Sequence, residues 1–251
     1  MTRGLWLELL GVTLLAAVLA ASVPLHAGVW SWSWDALNHH VYLGYIAEAP
    51  RWHLDVAAAS TQSYQYPYLY WPVYRLSLWT AGGPAAGAVW GALLAALLMP
   101  PIWWASRHLL PPRGSAVQAA FERLSACALA SSSGMVIAAI GTTANDPLSV
   151  VPLLWAVAIM CAPVASDQRA SLAAALWGAS VAFKFSNALA LPLLLAWWWV
   201  PQRPWLPWRR GVRMAGAATL AFIVAYAPWG WQLWLFTGNP VYPFLGHRLS
   251  D

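Results

Sequence analysis

The chain has 251 residues, of which 61% are hydrophobic and only 8% charged. A soluble domain carries about a quarter charged residues, so this composition excludes an ordinary soluble fold and suits a bundle of membrane spans, each roughly 20 residues long. Thirteen Lys and Arg against eight Asp and Glu leave a net charge of +5, but the basic residues are scattered beside apolar runs, which reads as membrane topology and not as a nucleic-acid surface.

In chain order, the first span is expected over residues 5–25, behind Met1-Thr2-Arg3. Its apolar run is long for the core of a signal peptide, so it reads as an uncleaved span. A comparatively polar segment, about 26–83, follows as a long first outer loop carrying interfacial helices; it is rich in Trp, Tyr, His and Pro. Span 2 is predicted over 84–105, where Pro100-Pro101 should kink or end it. Spans 3 and 4 are predicted over 117–140 and 148–165. Two shorter apolar runs, 171–183 and 188–200, flank Lys184-Phe185-Ser186-Asn187; the first is short enough to be tilted or incompletely spanning. Span 7 covers 214–235, ahead of a Gly/Pro-containing tail. The expected fold is therefore all-α, a polytopic transmembrane helical bundle of about seven spans in a single module, 1–251. Cys127 and Cys161 fall inside spans and suggest neither a disulfide framework nor a thiolate metal site.

Orientation follows from the excess of positive charge in cytoplasmic loops. With the N-terminus inside, Arg3, Arg107, Arg113, Arg123, Arg169, Arg203, Arg209, Arg210 and Arg213 are cytoplasmic, nine residues against four outside: Arg51, Arg75, Lys184 and Arg248. Merging the two short runs would invert span 7 and put its arginine cluster outside, which argues against the merger. The outer face then collects Asp35, His39, His40, Glu48, Arg51, His53, Asp55, Arg75, Asp146 and Lys184. Ionisable groups beside hydrocarbon are costly and tend to serve a purpose.

Several of these groups fall into three constellations that can carry chemistry. On a helix, Asp35 and His39 share a face at i, i+4, with Asn38 beside them. Such a set either takes a proton from a hydroxyl or binds a divalent ion, or it is simply the polar face of an interfacial helix. Asn145-Asp146-Pro147 precedes span 4, where Asp146 makes a good N-cap with Pro at the first helical position, or a functional carboxylate. Lys184 either snorkels to the headgroups or binds a lipid-linked phosphate. A fourth pair of strings, Tyr64 to Trp71 and Thr237 to Phe244, is aromatic and proline-rich, suited to ordered loops around an interfacial pocket. There is no Walker-type glycine loop, HExxH or GxSxG in the sequence, so neither direct ATP coupling nor the familiar zinc-protease and hydrolase chemistries are indicated.

Taken in order, these segments resemble the GT-C superfamily of polytopic glycosyltransferases, in the branch of protein O-mannosyltransferases and the lipid A aminoarabinose transferase. Asp35 with His39-His40 matches the acidic residue after span 1; Tyr66-Pro67-Tyr68-Leu69-Tyr70-Trp71 matches a Tyr-Pro-Pro-Leu-like stretch, with Tyr68 in place of the second proline. Asp146 matches a second-loop acidic residue, and Gly178, Ala182 and Lys184 match a Gly-x-x-x-Gly/Ala-x-x-x-Lys-like string loosely. The loop from Gly238 to Phe244 is similar to one in many bacterial members. Relatives continue through several more spans, so the chain is expected to correspond to their N-terminal module.

The resemblance implies transfer of a sugar from a polyprenyl-phosphate donor to a glycan, lipid or protein hydroxyl, at the outer face of a bacterial inner membrane. It makes Asp35 the catalytic residue, as general base or as the group that orients the acceptor hydroxyl. His39, His40, Arg51, Arg75, Asn145, Asp146 and Lys184 become substrate-binding residues, with Lys184 first, and Arg75 or Arg51 as helpers, on the lipid phosphate. As in some relatives, a divalent metal ion on Asp35, His40 and Asp146 is a further expectation. Two other classes stay open beside it: a secondary transporter, which would place its charges near the midplane and in broken or repeated helices, and a non-catalytic scaffold or assembly subunit.

Overall fold

The computed structural model describes residues 1–30, 34–55, 58–80, 82–110, 114–162, 166–192, 194–195 and 208–245. The helices are α1 (Arg3–Ala27), α2 (Val41–Ile46), α3 (Trp71–Ser77), α4 (Gly83–Leu109), α5 (Ala116–Ser131), α6 (Gly134–Ala139), α7 (Asp146–Met160), α8 (Asp167–Phe183) and α9 (Trp208–Thr237). A π-helical turn, Ala36–His40, runs straight into α2, and 3-10 turns occupy Ser60–Tyr64 and Phe185–Ala190.

The described chain is helical, and α1, α4 and α9 are long and apolar enough to cross a membrane. At about 1.5 Å per residue, even the shortest of the three, 25 residues, exceeds a hydrocarbon core of roughly 30 Å. Gly28, at φ +68°, closes α1 in the left-handed conformation that favours glycine. Pro100 and Pro101 do not end span 2: α4 runs through both to Leu109. Span 3 differs from expectation, because residues 117–140 divide into α5 and α6. The break falls at Ser132-Ser133, where the Ser133 hydroxyl caps the new helix by accepting from Val136 N at 3.4 Å. The apolar helix α7 has 15 residues and α8 has 17. Much of the expected run 188–200, together with Arg113, Arg203 and Arg248, lies outside the described residues.

Contacts along the helices fix their directions. Glu8 meets Trp103 while Ala20 lies under Gly91, so α1 and α4 are antiparallel. Leu148 packs by Trp90 and Leu94, and Trp155 lies 6.5 Å from Trp104, so α7 runs parallel to α4. Ser180 near the end of α8 bonds Ser149 near the start of α7, making that pair antiparallel. Finally Asp167, which opens α8, pairs with Arg210 and Arg213 at the start of α9, and Ala182 packs beside Tyr226 further on. Helices α8 and α9 are therefore parallel, and the connection between them returns to the end from which α8 began. The end of α1, the starts of α4 and α7, and the ends of α8 and α9 consequently share one end of the bundle. Arg3, Arg107, Arg169, Arg209, Arg210 and Arg213 occupy the opposite one.

Arg123, counted among the cytoplasmic arginines and lying within the expected span 3, is part of α5. Ser115 caps α5 through Gln118 N, which carries Arg123 two turns into the helix, where it is 7% exposed. Its guanidinium donates to both oxygens of Glu8, at 2.7 and 2.6 Å, and Trp103 Nε1 donates to the same carboxylate at 2.8 Å. One satisfied ion pair thus ties α1, α4 and α5 together; a buried charge is tolerable only with such partners.

The approach of α8 to α9 depends on a missing side chain, since a Cβ at Gly178 would run into the Ala218 carbonyl. Gly216 on the same helix pair has nothing within 4 Å of that position. Gly178→Ala is expected to cost about 1–3 kcal/mol by overpacking, whereas Gly216→Ala should be neutral or gain up to about 1 kcal/mol of helix propensity. Thermal unfolding of the detergent-solubilised variants checks this contrast.

Candidate functional site

At the shared end of the bundle, the polar residues of three separate segments converge. The π-helical turn at Ala36–His40 turns both imidazoles inward, leaving His39 5% and His40 7% exposed, with ring centroids 4.5 Å apart. Asp35 lies one turn before His39, and Asp35 Oδ1 is 3.8 Å from His39 Nδ1, as the i, i+4 spacing predicts. Asn38 turns away instead, donating to Gln62 Oε1 at 2.8 Å.

The second segment is the turn before α7. Thr143, fully buried, places its hydroxyl 2.9 Å from His40 Nδ1. Tyr70 covers the other side, its ring 5.0 Å from His40 and 5.9 Å from His39. Burial pushes the Tyr70 phenol far above its ordinary range, with Asp146 adding to the rise and a hydrogen bond with the Asn145 side chain opposing it. Asn145, not Asp146, occupies the N-cap position, and Asp146 is the first helical residue ahead of Pro147. Its carboxylate is thereby free of capping and pairs with Lys184 instead, while still sitting at the positive end of the α7 dipole.

The third segment begins where α8 stops. Lys184 is extended (φ −154°, ψ 113°), and the 3-10 turn that follows brings Asn187 back under α8. The Asn187 amide nitrogen contacts Ser180 Oγ at 2.8 Å, Ser180 O at 3.1 Å and Ser149 O at 3.2 Å. Ser180 Oγ in turn donates to Ser149 O at 2.8 Å. This buried knot fixes the height of Lys184 against Asp146.

Electrostatically, the site is a neutral interior with a charged rim. Burial pulls His40 down from 6.5 to about 4, helped by His39, opposed by Asp35 and Asp146, with Lys184 lowering it further. His39 is lowered for the same first reason, and Asp35 opposes the shift. The rim groups face outward: Asp35 is 57% exposed, Lys184 44% and Asp146 43%. A carboxylate near a hydroxyl-bearing ligand can take a proton, and an exposed ammonium can hold an oxyanion.

Two expected members lie elsewhere. Arg51 is held by Asp55 at 2.8 and 3.1 Å and stacks over Tyr45, while Arg75 reaches Glu48 at 3.3 Å. Among the described residues neither shares a hydrogen bond or ion pair with Asp35, the histidines, Asp146 or Lys184. Each arginine instead has an acidic partner within its own segment, Asp55 for Arg51 and Glu48 for Arg75. The expected metal set also fails the geometry: among the described residues no three His, Cys, Asp or Glu side chains come together to hold an ion. His40 Nδ1 is committed to Thr143, and Asp146 to Lys184.

Sequence reasoning placed Tyr70 only in a pocket-lining string and gave no role in the site to Thr143, Ser149, Ser180 and Asn187. The signal for the two serines was present, as small hydroxyls within apolar runs commonly bond between membrane helices. The two aromatic strings do meet, with Tyr64 and Tyr242 rings 4.6 Å apart and Trp229 Nε1 donating to Tyr64 O at 3.1 Å. Neither a protein-family model, nor a curated protein, nor a solved structure matches this chain.

Because folding lowers the proton affinity of His40, the unfolded chain takes up the proton first as pH falls. The stabilising effect is complete above about pH 6.5 and is lost on descent through about pH 4. His40→Gln is expected to flatten the pH dependence of stability across that window by about 3 kcal/mol. Unfolding temperatures measured between pH 7 and pH 4 test this; an unchanged slope would contradict a buried, neutral His40.

Proposed function

We propose that the chain is a membrane glycosyltransferase module that moves a hexosyl or pentosyl group from a polyprenyl-phosphate carrier to an acceptor hydroxyl. The observation that carries this reading is the meeting of Asp35, the His39–His40 pair, Asp146 and Lys184 at one end of the spanning helices. In this reading α1, α4 and α9 are full crossings, and α5 with α6, α7, α8 and residues 188–200 supply four shorter ones, seven in all. The arginine-rich end faces the cytoplasm with the N-terminus. The site faces the opposite side of a bacterial inner membrane.

Asp35 takes the proton of the acceptor hydroxyl, and the oxygen attacks the anomeric carbon opposite the lipid phosphate. The bond from that carbon to the phosphate oxygen breaks, its electron pair leaves with the lipid phosphate, and the anomeric configuration inverts. Lys184 offsets the charge that develops on the leaving group, while Asp146 holds the ammonium in place until the anion arrives. His39 lies beside the Asp35 carboxylate, and neutral His40 joins the Thr143 turn to that segment. No step passes through a metal ion, since the residues do not form a ligand set.

Purified full-length protein, given a polyprenyl-phosphate sugar and candidate acceptors, is assayed for release of the lipid phosphate. Asp35→Asn is expected to lower kcat by about 10²–10⁴-fold at unchanged protein level; full activity in that variant overturns the assignment. Lys184→Ala should reduce kcat/KM for the donor by about tenfold or more and leave the acceptor KM alone. Equal loss toward both substrates would remove Lys184 from the donor site.

A further inference from the structure

A second cation-bearing surface lies on α3, apart from the converged cluster. Trp71, Arg75, Leu78 and Trp79 follow at three- and four-residue spacings, so they share one face of α3 and the turn after it. Val73 and Leu76 pack the other way, against Trp30, Ala86, Trp90 and Leu94. Helix α3 therefore rests on the beginning of α4, at the mouth of a helix long enough to span the membrane.

Its outward face is apolar apart from the arginine: Trp71 is 44% exposed, Leu78 57% and Trp79 50%. Arg75, Leu76, Leu78 and Trp79 line a recess of about 290 Å³. The Arg75 side chain is 55% exposed, and its Nη1 reaches Glu48 Oε1 at 3.3 Å. Trp71 Nε1 reaches the same oxygen at 2.6 Å, so the indole is the carboxylate's closer partner. A guanidinium carries five N–H donors in a fixed fork, which leaves donors for a second oxyanion after one goes to Glu48.

We infer that this recess binds the headgroup of an anionic phospholipid, with Arg75 on the phosphate and Leu78 and Trp79 against the upper acyl chains. A free oxyanion would gain nothing from Leu76, Leu78 and Trp79, whereas a phospholipid joins its charge to an apolar body. A zwitterionic headgroup brings a second cation toward Arg75, so the site selects for net negative charge. Tryptophan and arginine at the end of a spanning helix are the residues that settle at headgroup depth. This inference does not depend on the transferase reading.

The test uses the full chain purified in detergent and exposed to equal amounts of phosphatidylglycerol and phosphatidylcholine, with retained lipid counted by native mass spectrometry. Wild type is expected to retain phosphatidylglycerol preferentially, and Arg75→Ala to lower that retention by about fivefold. Arg75→Gln, which keeps a long side chain, should lose as much, separating loss of charge from loss of fold. Arg51→Ala, at an arginine held by Asp55, should leave retention unchanged. Equal retention of the two lipids, undiminished retention in both Arg75 variants, or displacement of the lipid by excess inorganic phosphate would each overturn the inference.

Discussion

The structure turns on the buried knot of Ser149, Ser180 and Asn187. In an apolar surrounding, every polar group must find its partner within the protein. Asn187 meets that demand by leaving the end of α8 and folding back, where its amide reaches oxygens of both α7 and α8. Because Ser180 Oγ also bonds Ser149 O, the knot sets the register of the two helices. Everything beyond it inherits that register: Asp146 stands one turn before Ser149, and Lys184 three residues before Asn187.

Charge is handled by the same rule in different surroundings. Inside the bundle, Glu8 and Arg123 form a bidentate pair that Trp103 completes, and both side chains are nearly buried. At the opposite end from the site, Asp167 gathers Arg210 and Arg213 and holds the starts of α8 and α9 level. Lys184 and Asp146 pair likewise but stay close to half exposed. The first arrangement fastens helices inside the bundle; the Asp167 and Asp146 pairs are both exposed, and what sets Lys184–Asp146 apart is its place beside Asp35 and the two histidines.

Aromatic contact, joined by the hydrogen bond from Trp229 Nε1 to Tyr64 O, attaches the first loop to α9. The segment after α1 has few long helices to hold it. Trp52, Tyr64 and Tyr70 instead join one core cluster with Tyr226, Trp229 and Leu233 of α9. Thr237 and Asn239 shape the turn beyond α9, with Asn239 Nδ2 donating to Phe244 O at 2.7 Å. The last described loop thus clamps the segment that carries Asp35 and both histidines, across most of the chain's length.

Composition and apolar run length determined the all-helical character, α1, α4 and α9 among the seven expected spans, and the i, i+4 relation of Asp35 to His39, because these depend only on neighbours in the chain. The expected division at Lys184 was legible too, since a lysine followed by Ser186 and Asn187 interrupts hydropathy locally. Tertiary structure decided the rest. Whether Ser132-Ser133 breaks a span, whether Arg123 stays at the helix surface or pairs with Glu8, and whether Asp146 caps its helix or pairs with Lys184 are contests between local and distant partners. Arg51 and Arg75 show the same from the other side, as their nearest acidic partners, Asp55 and Glu48, are supplied by their own segment of the chain. A sequence records which groups need partners; the directions in which helices pack determine which partner comes within reach.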